Sequence, residues 1–252
     1  MIEVKNVDKS FDGNQVLKNV SAVFETGKTN MIIGQSGSGK TVLMKSIIGL
    51  HRIDKGRIEY DGRNLPDMRM SEIRILRREV GMLFQGSALF DSLSVLENVM
   101  YPLEMFSPSS KEEMTERAMF CLKHVNLEEK AYHLAPSEIS GGMQKRVAIA
   151  RAISLQPKYL FCDEPNSGLD PKTSLVIDQL IHEITHLFGI TTIINSHDMN
   201  SVMEIGENII FIQNGEKACP LHALIPGSHA FSYPEGYVHR IQSCLCQFYA
   251  AR

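Results

Sequence analysis

Tryptophan is missing from this 252-residue chain, cysteine is scarce, and no apolar segment is long enough to cross a bilayer. The absence of tryptophan by itself excludes nothing. A bilayer span needs roughly 18 consecutive apolar residues, so we expect any membrane passage to belong to a partner protein. Positive charge is not in excess either, since the formal net charge is -3. A nucleic-acid groove, which needs clustered Lys and Arg, is therefore disfavoured as the main surface.

The five cysteines are scattered and odd in number, which argues against a disulfide framework and favours a reducing compartment. Cys244 and Cys246 are separated by one residue, but no second pair stands at metal-site spacing. Two interpretations remain open for them, a pair of unpaired thiols or a zinc site. The segment Met1 to Lys5 predicts a strand rather than a signal peptide.

The length suits one large α/β domain with a small subdomain. Apolar residues alternate from Ile2 to Val23 around the turn Asp12-Gly13-Asn14, which predicts an antiparallel hairpin. A short apolar strand at Thr29 to Ile33 precedes a glycine loop, and helical spacing begins at Val42. Strand, glycine loop and helix are together the context that a phosphate-binding loop requires.

Further along the chain, strands and helices continue to alternate. Arg57 to Gly62 predicts an edge strand and turn, and Val80 to Phe84 predicts a strand that leads to Gln85. Residues 93–135 predict an inserted helical segment punctuated by Pro102 and Pro108. The remaining predicted elements are a helix from Met143 to Leu155 and two strands of a parallel sheet, Tyr159 to Cys162 and Thr191 to Asn195.

The glycine loop is the first candidate site for an anion. Its glycines let backbone amides approach phosphate oxygens, while Lys40 would neutralise the β- and γ-phosphates and Thr41 would ligate Mg²⁺. The alternative is a glycine turn that only introduces a helix. The candidate nucleotide-binding residues of this loop are Gly34, Gln35, Ser36, Gly37, Ser38, Gly39, Lys40, Thr41 and Val42.

Two adjacent carboxylates follow the apolar strand that begins at Tyr159. Ligands of α/β proteins bind at the carboxyl ends of parallel strands, which is where Asp163 and Glu164 stand. Asp163 is a candidate partner of Mg²⁺, and Glu164 is the candidate general base that polarises an attacking water. A lone Asp-Glu pair is otherwise typical of a solvated loop.

A second anion-binding surface is predicted at Ile139-Ser140-Gly141-Gly142-Met143-Gln144. A serine hydroxyl, two glycines and the start of a helix offer donors to a phosphate, so Ser140, Gly141, Gly142 and Gln144 are candidate nucleotide-binding residues. The phosphate loop, the Ser-Gly-Gly run and Asp-Glu-Pro occur in this order and at this spacing. In this respect the chain resembles the ATPase subunit of an ATP-binding-cassette (ABC) transporter.

The resemblance implies an α/β fold, namely a P-loop NTPase (RecA-like) core with an antiparallel β subdomain and an inserted α-helical signature subdomain. Residues 1–215 would form the ABC ATPase domain, with the helical subdomain at about 93–150. Residues 216–252 depart from the family pattern and form an atypical tail. That tail is either a divergent regulatory or partner-binding extension or an altered C-terminus, and no function is assigned to it.

The resemblance also implies roles for residues outside the three motifs. His197 stands where the family has a switch histidine that touches the γ-phosphate and the catalytic glutamate. Gln85 stands where a glutamine touches Mg²⁺ and joins the two subdomains. Phe11 is expected to stack on adenine with Val16 just beyond it, although a core phenylalanine is the alternative. Asp170 is the acidic member of a loop through which two subunits sense each other.

The cofactors implied are ATP and Mg²⁺, and the assembly implied is a head-to-tail homodimer. Each ATP would lie between the phosphate loop of one subunit and the Ser140-Gly141-Gly142 run of the other. Integral membrane permease subunits would hold this ATPase at the cytoplasmic face of the bacterial inner membrane. Nucleic acid is not among the expected partners.

The cargo is suggested by the sequence around Gln85. The run Gly81 to Asp91, the later Glu97-Asn98-Val99 and Gly141-Gly142-Met143 resemble ATPases that traffic phospholipid together with lipid-binding MCE proteins. The expectation is therefore an ATPase for lipid trafficking across the bacterial envelope, with an MCE protein as a further partner. The alternatives are the ATPase of another importer, for an amino acid or other small solute, and a non-transport regulatory ABC ATPase.

Overall fold

Residues 1–220 are described in the computed structural model, so the expectations for Cys244, Cys246 and the tail from residue 221 onward lie outside the described residues. The strands are β1 (Ile2–Phe11), β2 (Asn14–Phe24), β3 (Thr29–Ile33), β4 (Lys55–Tyr60), β5 (Arg63–Asn64), β6 (Val80–Leu83), β7 (Tyr159–Asp163), β8 (Thr191–Ser196), β9 (Asn208–Gln213) and β10 (Glu216–Pro220). The helices are α1 (Lys40–Ile47), α2 (Met70–Arg78), α3 (Val95–Phe106), α4 (Lys111–His124), α5 (Gly141–Ile153), α6 (Pro171–Phe188) and α7 (Met199–Ile205).

The predicted hairpin at the beginning of the chain is confirmed. Strands β1 and β2 pair antiparallel across a turn at Asp12 and Gly13, both of which have positive φ. The sheet order is β2-β1-β4-β5. The expectation that β4 is an edge strand is wrong, because the short strand β5 pairs along its outer side at Glu59 and Tyr60.

The second sheet has the order β10-β9-β3-β8-β7-β6 and carries the P-loop architecture. Strands β9, β3, β8, β7 and β6 are parallel, so their carboxyl ends share one edge of the sheet. Strand β10 adds to β9 in the antiparallel sense. The sheet therefore continues past residue 215, which was the expected end of the domain.

The core is divided between the two faces of this parallel sheet. Met31 and Ile33 point to one face, where they join a cluster that includes the apolar sides of α3, α4, α5 and α6. Ile32 points to the other face and packs with α1 and the antiparallel sheet. This alternation is the period of two that a strand imposes on its side chains. Among the helices of residues 1–220, none combines the length and the apolar composition of a membrane span.

Candidate nucleotide-binding and catalytic site

The glycine loop lies between the end of β3 and the start of α1, as the sequence predicts. A Cβ atom added to Gly34 would lie 2.2 Å from the carbonyl oxygen of Ile212, so the loop passes β9 too closely for a side chain. Gly39 caps the start of α1 with a left-handed φ of 105°. Backbone amides at this helix start can therefore face an anion without an intervening side chain.

Lys40 lies across the loop it follows. Its amine donates to the carbonyl oxygens of Gly34 at 2.8 Å and Gln35 at 3.0 Å. Burial lowers the pKa of Lys40, and the negative charges of Glu164 and Asp163 oppose that shift. The amine is thus placed between the phosphate loop and the two carboxylates that follow β7.

The loop is also fastened to β2 and to the turn before β10. Gly215 donates its N–H to the carbonyl oxygen of Ser38 at 3.1 Å, and a Cβ on Gly39 would lie 3.1 Å from the carbonyl oxygen of Val16. Val16 therefore borders the loop. Of the remaining predicted loop residues, Gln35, Ser36 and Gly37 are exposed, whereas Thr41 and Val42 are half-buried.

Phe11 ends β1 at the hairpin and is 37% exposed. Its ring meets the ring of His51 edge-on with centroids 5.2 Å apart, and the amine of Lys9 lies 4.8 Å from its centroid. The alternative that Phe11 is a core residue is therefore wrong. Its ring is available at the surface for stacking.

Three oxygen- and nitrogen-bearing side chains meet at the carboxyl ends of β7 and β8. The side-chain amide of Asn195 donates to Asp163 Oδ1 at 2.7 Å and to Thr41 Oγ1 at 3.1 Å. Asn195 is fully buried and pairs with Asp163 in the β7–β8 register. Asn195 is not among the residues that the sequence motifs indicate. The signal available in the sequence was a polar amide directly after Ile193 and Ile194 and two residues before His197.

Glu164 and His197 form a pair at the same edge. His197 Nδ1 lies 2.9 Å from Glu164 Oε1, and the histidine side chain is 70% exposed whereas the glutamate side chain is 17% exposed. Glu164 also has a φ of 48°, in the left-handed region that side-chain-bearing residues rarely adopt. A strained backbone conformation persists only where the surrounding structure holds it in place. Such conformations are concentrated at functional sites.

Gln85 connects three parts of the chain. Its side chain donates to Ser167 Oγ at 3.2 Å, and its carbonyl oxygen accepts a hydrogen bond from the amine of Lys145 on α5. Arg151, also on α5, donates to the carbonyl oxygens of Ser87 at 2.8 Å and Ala88 at 2.7 Å. Burial lowers the pKa of both Lys145 and Arg151. The loop after β6 is thus held to α5 by two cations, the buried Lys145 and the half-buried Arg151.

The Ser-Gly-Gly run lines a separate cavity of about 410 Å³. Ser140 caps α5, because its Oγ accepts the N–H of Met143 at 3.3 Å. A Cβ on Gly142 would lie 2.7 Å from Thr173 Cγ2, so the glycine allows α5 to approach α6. Asp170 caps α6, and its hydrogen bonds from Thr173 lower the pKa of this carboxyl group.

The structure brings Ser140, Gly141, Gly142 and Asp170 together around this cavity, but not Gln144. The Gln144 amide donates to Pro136 O at 2.9 Å, so its side chain holds the turn that precedes Ser140 instead of facing the cavity. The cavity lining also contains no residue from Gly34–Thr41. The two predicted anion-binding surfaces are therefore distinct regions of one chain.

Comparison with known proteins places both regions in one family. The family model described as ABC transporter matches residues 17–167. The methionine import ATP-binding protein MetN of Clostridium acetobutylicum is 41% identical over 215 residues, which cover 85% of this chain and 67% of that protein. The glutamine transport ATP-binding protein GlnQ of Escherichia coli is 40% identical over 218 residues, which cover 86% of this chain and 90% of that protein.

Solved structures agree with these relatives. The dimeric post-hydrolysis state of the ATP-binding cassette MJ0796, bound to ADP and Pi, has a TM-score of 0.78 at 35% identity and covers 87% of this chain and 97% of its own. The protein cbiO1 of Clostridium perfringens, part of the ABC transporter complex cbiONQ, has a TM-score of 0.82 at 28% identity and covers 96% of this chain and 94% of its own.

Proposed function

The chain belongs to the ABC transporter family as one of its ATP-hydrolysing subunits, and from this premise we propose that it powers the import of an amino acid. The observation that carries the proposal is the 40% identity to a glutamine transport ATPase, of which the chain covers 90%. The methionine import ATPase supports the same class of cargo. Amino-acid import was one of the alternatives that the sequence left open.

The first expectation, phospholipid trafficking with an MCE partner, finds no support among these relatives. The residues that suggested it surround Gln85 and Met143, and both neighbourhoods belong to the ATPase machinery. The Gln85 carbonyl binds Lys145 of α5, and Met143 lines the Ser140 cavity. Such residues are constrained by ATP hydrolysis, so they discriminate poorly between cargoes. The non-transport alternative is likewise unsupported, because the relatives are transport subunits.

We assign the binding of ATP phosphates to the loop Gly34–Thr41, with the amine of Lys40 neutralising the β- and γ-phosphates. Val16, which borders this loop, and Phe11, which is exposed at the end of β1, would receive the adenine. The oxygens of Thr41 and Asp163 fit Mg²⁺, which prefers oxygen ligands, because both lie within hydrogen-bond distance of one Asn195 amide nitrogen. When bound, Mg²⁺ would neutralise phosphate charge. Gln85, on the loop after β6, would complete this set.

In this proposal Glu164 accepts the proton of the attacking water as general base. The strained backbone and the hydrogen bond from His197 fix the direction of its carboxylate. His197 is the more exposed partner, so it can reach a γ-phosphate while it holds Glu164. The two residues therefore have different tasks, proton removal for Glu164 and positioning together with phosphate contact for His197.

The second anion-binding surface requires a second copy of the chain. Ser140, Gly141 and Gly142 offer the start of α5 to a cavity that contains no residue of the phosphate loop. A head-to-tail dimer would place this surface over the γ-phosphate held by the partner, so that binding closes the dimer and hydrolysis reopens it. Permease subunits would then hold the dimer at the cytoplasmic face of the inner membrane.

The test is to capture the tagged full chain from host membranes with its partners. The complex is reconstituted in vesicles and assayed for ATP-dependent uptake of labelled L-methionine and L-glutamine, with a complex carrying Glu164→Gln as the inactive control. We expect co-purification of a permease and uptake of an amino acid. Co-purification of an MCE protein with bound phospholipid would overturn the cargo proposal, and co-purification with ribosomes or DNA would overturn the transport proposal.

A further inference from the structure

A cluster of potential metal ligands lies at the opposite edge of the parallel sheet from the nucleotide region. His182 and His186 belong to α6, and Glu207 stands just before β9. One ligand atom from each of the three residues lies within 4.8 Å of the other two. Thr29, the first residue of β3, touches the cluster, whereas the phosphate loop follows the last residue of the same strand. The cluster is therefore independent of the ATPase site.

We propose that His182, His186 and Glu207 bind a zinc ion. The sequence His182-Glu183-Ile184-Thr185-His186 has the H-E-x-x-H pattern, which on a helix sets two imidazoles one turn apart on the same face. The rings stand 4.4 Å apart between centroids. Two histidines and one carboxylate form a ligand set typical of zinc, with a fourth position left for water.

The distances place two of the three ligands at zinc spacing. Zinc bonds of about 2.0–2.2 Å in a tetrahedral site put neighbouring ligand atoms roughly 3.3–3.6 Å apart. His186 Nε2 and Glu207 Oε2 are already 3.2 Å apart. Only a small inward shift of the His182 ring is then needed to complete the set.

Thr29 makes hydrogen-bond contacts with two of the three proposed ligands, Glu207 and His182. Its N–H donates to Glu207 Oε2 at 2.7 Å, and the Glu207 N–H donates to Thr29 O at 3.0 Å. Thr29 Oγ1 lies 3.3 Å from His182 Nδ1, and a hydrogen bond there would leave Nε2 of that ring as the metal ligand. Hydrogen bonds of this kind orient metal ligands and raise affinity.

Solvent has access to the cluster, since the side chain of His186 is 45% exposed and that of Glu207 is 25% exposed. A bound zinc ion would join the last turns of α6 to the residue before β9, and Thr29 would connect the site to β3 by hydrogen bonds. Because the unfolded chain does not hold the three ligands together, binding would stabilise the folded state. The same helix begins at Asp170, beside the Ser140 cavity, so its placement matters to the ATPase as well.

The experiment titrates the full chain with Zn²⁺ against a chromophoric chelator and records the absorption spectrum with Co²⁺. His186→Gln and Glu207→Gln are compared with His133→Gln, an exposed histidine outside the cluster, and with the double variant Cys244→Ser, Cys246→Ser. The double variant tests the other candidate zinc ligands. Thermal unfolding with and without Zn²⁺ checks that each variant folds.

We expect one zinc ion per chain, at least about tenfold weaker binding in His186→Gln and Glu207→Gln, and unchanged binding in the two controls. The Co²⁺ spectrum should lack the thiolate charge-transfer band, and Zn²⁺ should raise the Tm of the parent chain but not that of His186→Gln. Unchanged affinity in folded His186→Gln would overturn the proposal. So would a thiolate band, or loss of zinc in the cysteine variant.

Discussion

The two regions of this chain that are proposed to bind phosphate differ in the groups that they present. The region at the strand ends carries charge, with the amine of Lys40, the carboxylates of Asp163 and Glu164, and His197 against Glu164. The Ser140 region offers the serine hydroxyl and a helix start, and the two charged side chains that line its cavity already have partners. Asp170 caps α6, and Arg146 donates to Asn126 O at 3.0 Å. In the proposed mechanism the first region serves proton transfer and charge neutralisation. The second would contact a phosphate that is bound by the phosphate loop of the partner subunit.

The two regions are linked through the loop that follows β6. Gln85 touches Ser167, which belongs to the segment leading to Asp170, and Lys145 of α5 holds the Gln85 carbonyl. A change at the strand ends can therefore reach α5, whose first turn presents Ser140. This arrangement predicts that substitutions in the first region affect chemistry, those in the second affect assembly, and those in the link affect the coupling of the two.

The largest effect on ATP hydrolysis is expected from Glu164→Gln, which removes the proposed general base but retains the size and shape of the side chain. ATP hydrolysis should fall about 10²- to 10⁴-fold, as general-base loss usually costs. ATP binding should persist, and the ATP-bound dimer should accumulate because hydrolysis no longer reopens it. Phosphate release and size-exclusion chromatography with ATP measure the two effects. Glu116→Gln, an exposed glutamate on α4, is the control, and hydrolysis near the parent rate in Glu164→Gln would contradict the assignment.

Ser140→Arg should have the next largest effect, because it fills the recognition surface without touching the strand ends. We expect ATP affinity close to that of the parent chain, no ATP-dependent dimer, and hydrolysis reduced at least about 100-fold through loss of the oriented donors. Fluorescent-nucleotide titration and phosphate release separate these outcomes. Ser137→Arg, an exposed position outside the cavity lining, should behave like the parent chain. Normal hydrolysis in Ser140→Arg would argue that one chain completes the site alone.

Asp178→Asn tests a buried carboxyl group of α6, which packs beneath the loop that contains Asn166. Burial raises the pKa of Asp178 to about 6, while hydrogen bonds with Ser201 and Asn166 oppose the shift. A raised carboxyl pKa gives stability that is present below the unfolded pKa of about 4 and is lost as pH rises to 6. The unfolding free energy of the parent chain, relative to Asp178→Asn, should therefore fall by about 2–3 kcal/mol between pH 4 and pH 7.

Urea unfolding of both proteins at pH 4, 5, 6 and 7 measures this difference. Asp91→Asn, at an exposed position, should keep a constant difference from the parent chain across the same range. Parallel curves for Asp178→Asn as well would show that the carboxyl group does not titrate with folding.

The smallest effect is expected from Lys145→Met, which keeps an unbranched side chain one atom shorter and removes the hydrogen bond to the Gln85 carbonyl. The loss of one hydrogen bond from a charged donor costs about 1.5–3 kcal/mol in stability. Hydrolysis should fall only about three- to tenfold, a difference of about 1 kcal/mol in the barrier, with unchanged ATP affinity. Lys123→Met on the exposed side of α4 is the control. An equal fall in both variants would show that the link carries no coupling.

The elements of the fold that have a recognisable local sequence pattern could be predicted. Strands β3, β7 and β8 are apolar runs that end in polar residues, and the glycine loop stands between a strand and a helix. Helix α6 was not predicted, although Asp170 caps its start and Gly189, with a φ of 62°, its end. The position of β3 between β8 and β9 follows from crossover connections, which no local pattern records.

Local sequence patterns have the same limit at the candidate site, because they do not record which residues the fold brings together. Lys40, Glu164 and His197 could be proposed from the sequence because each stands beside a recognisable strand or loop. Asn195 was missed because its importance depends on the register that sets it opposite Asp163 and within reach of Thr41. Gln144 was expected at the nucleotide, yet its amide binds Pro136 O. A motif thus gives the place of a residue, whereas tertiary packing decides the direction of its side chain.

The Asn195 amide makes this buried site observable in solution. Its nitrogen donates to Thr41 and Asp163 from a position with no solvent exposure, so its protons should exchange slowly with water. Selective ¹⁵N labelling of asparagine would give this side chain a protected pair of resonances in an NMR spectrum. Because its two acceptors are the oxygens assigned to the metal, those resonances should shift as nucleotide and Mg²⁺ bind. Asn195 is therefore a built-in reporter of occupancy at the strand ends.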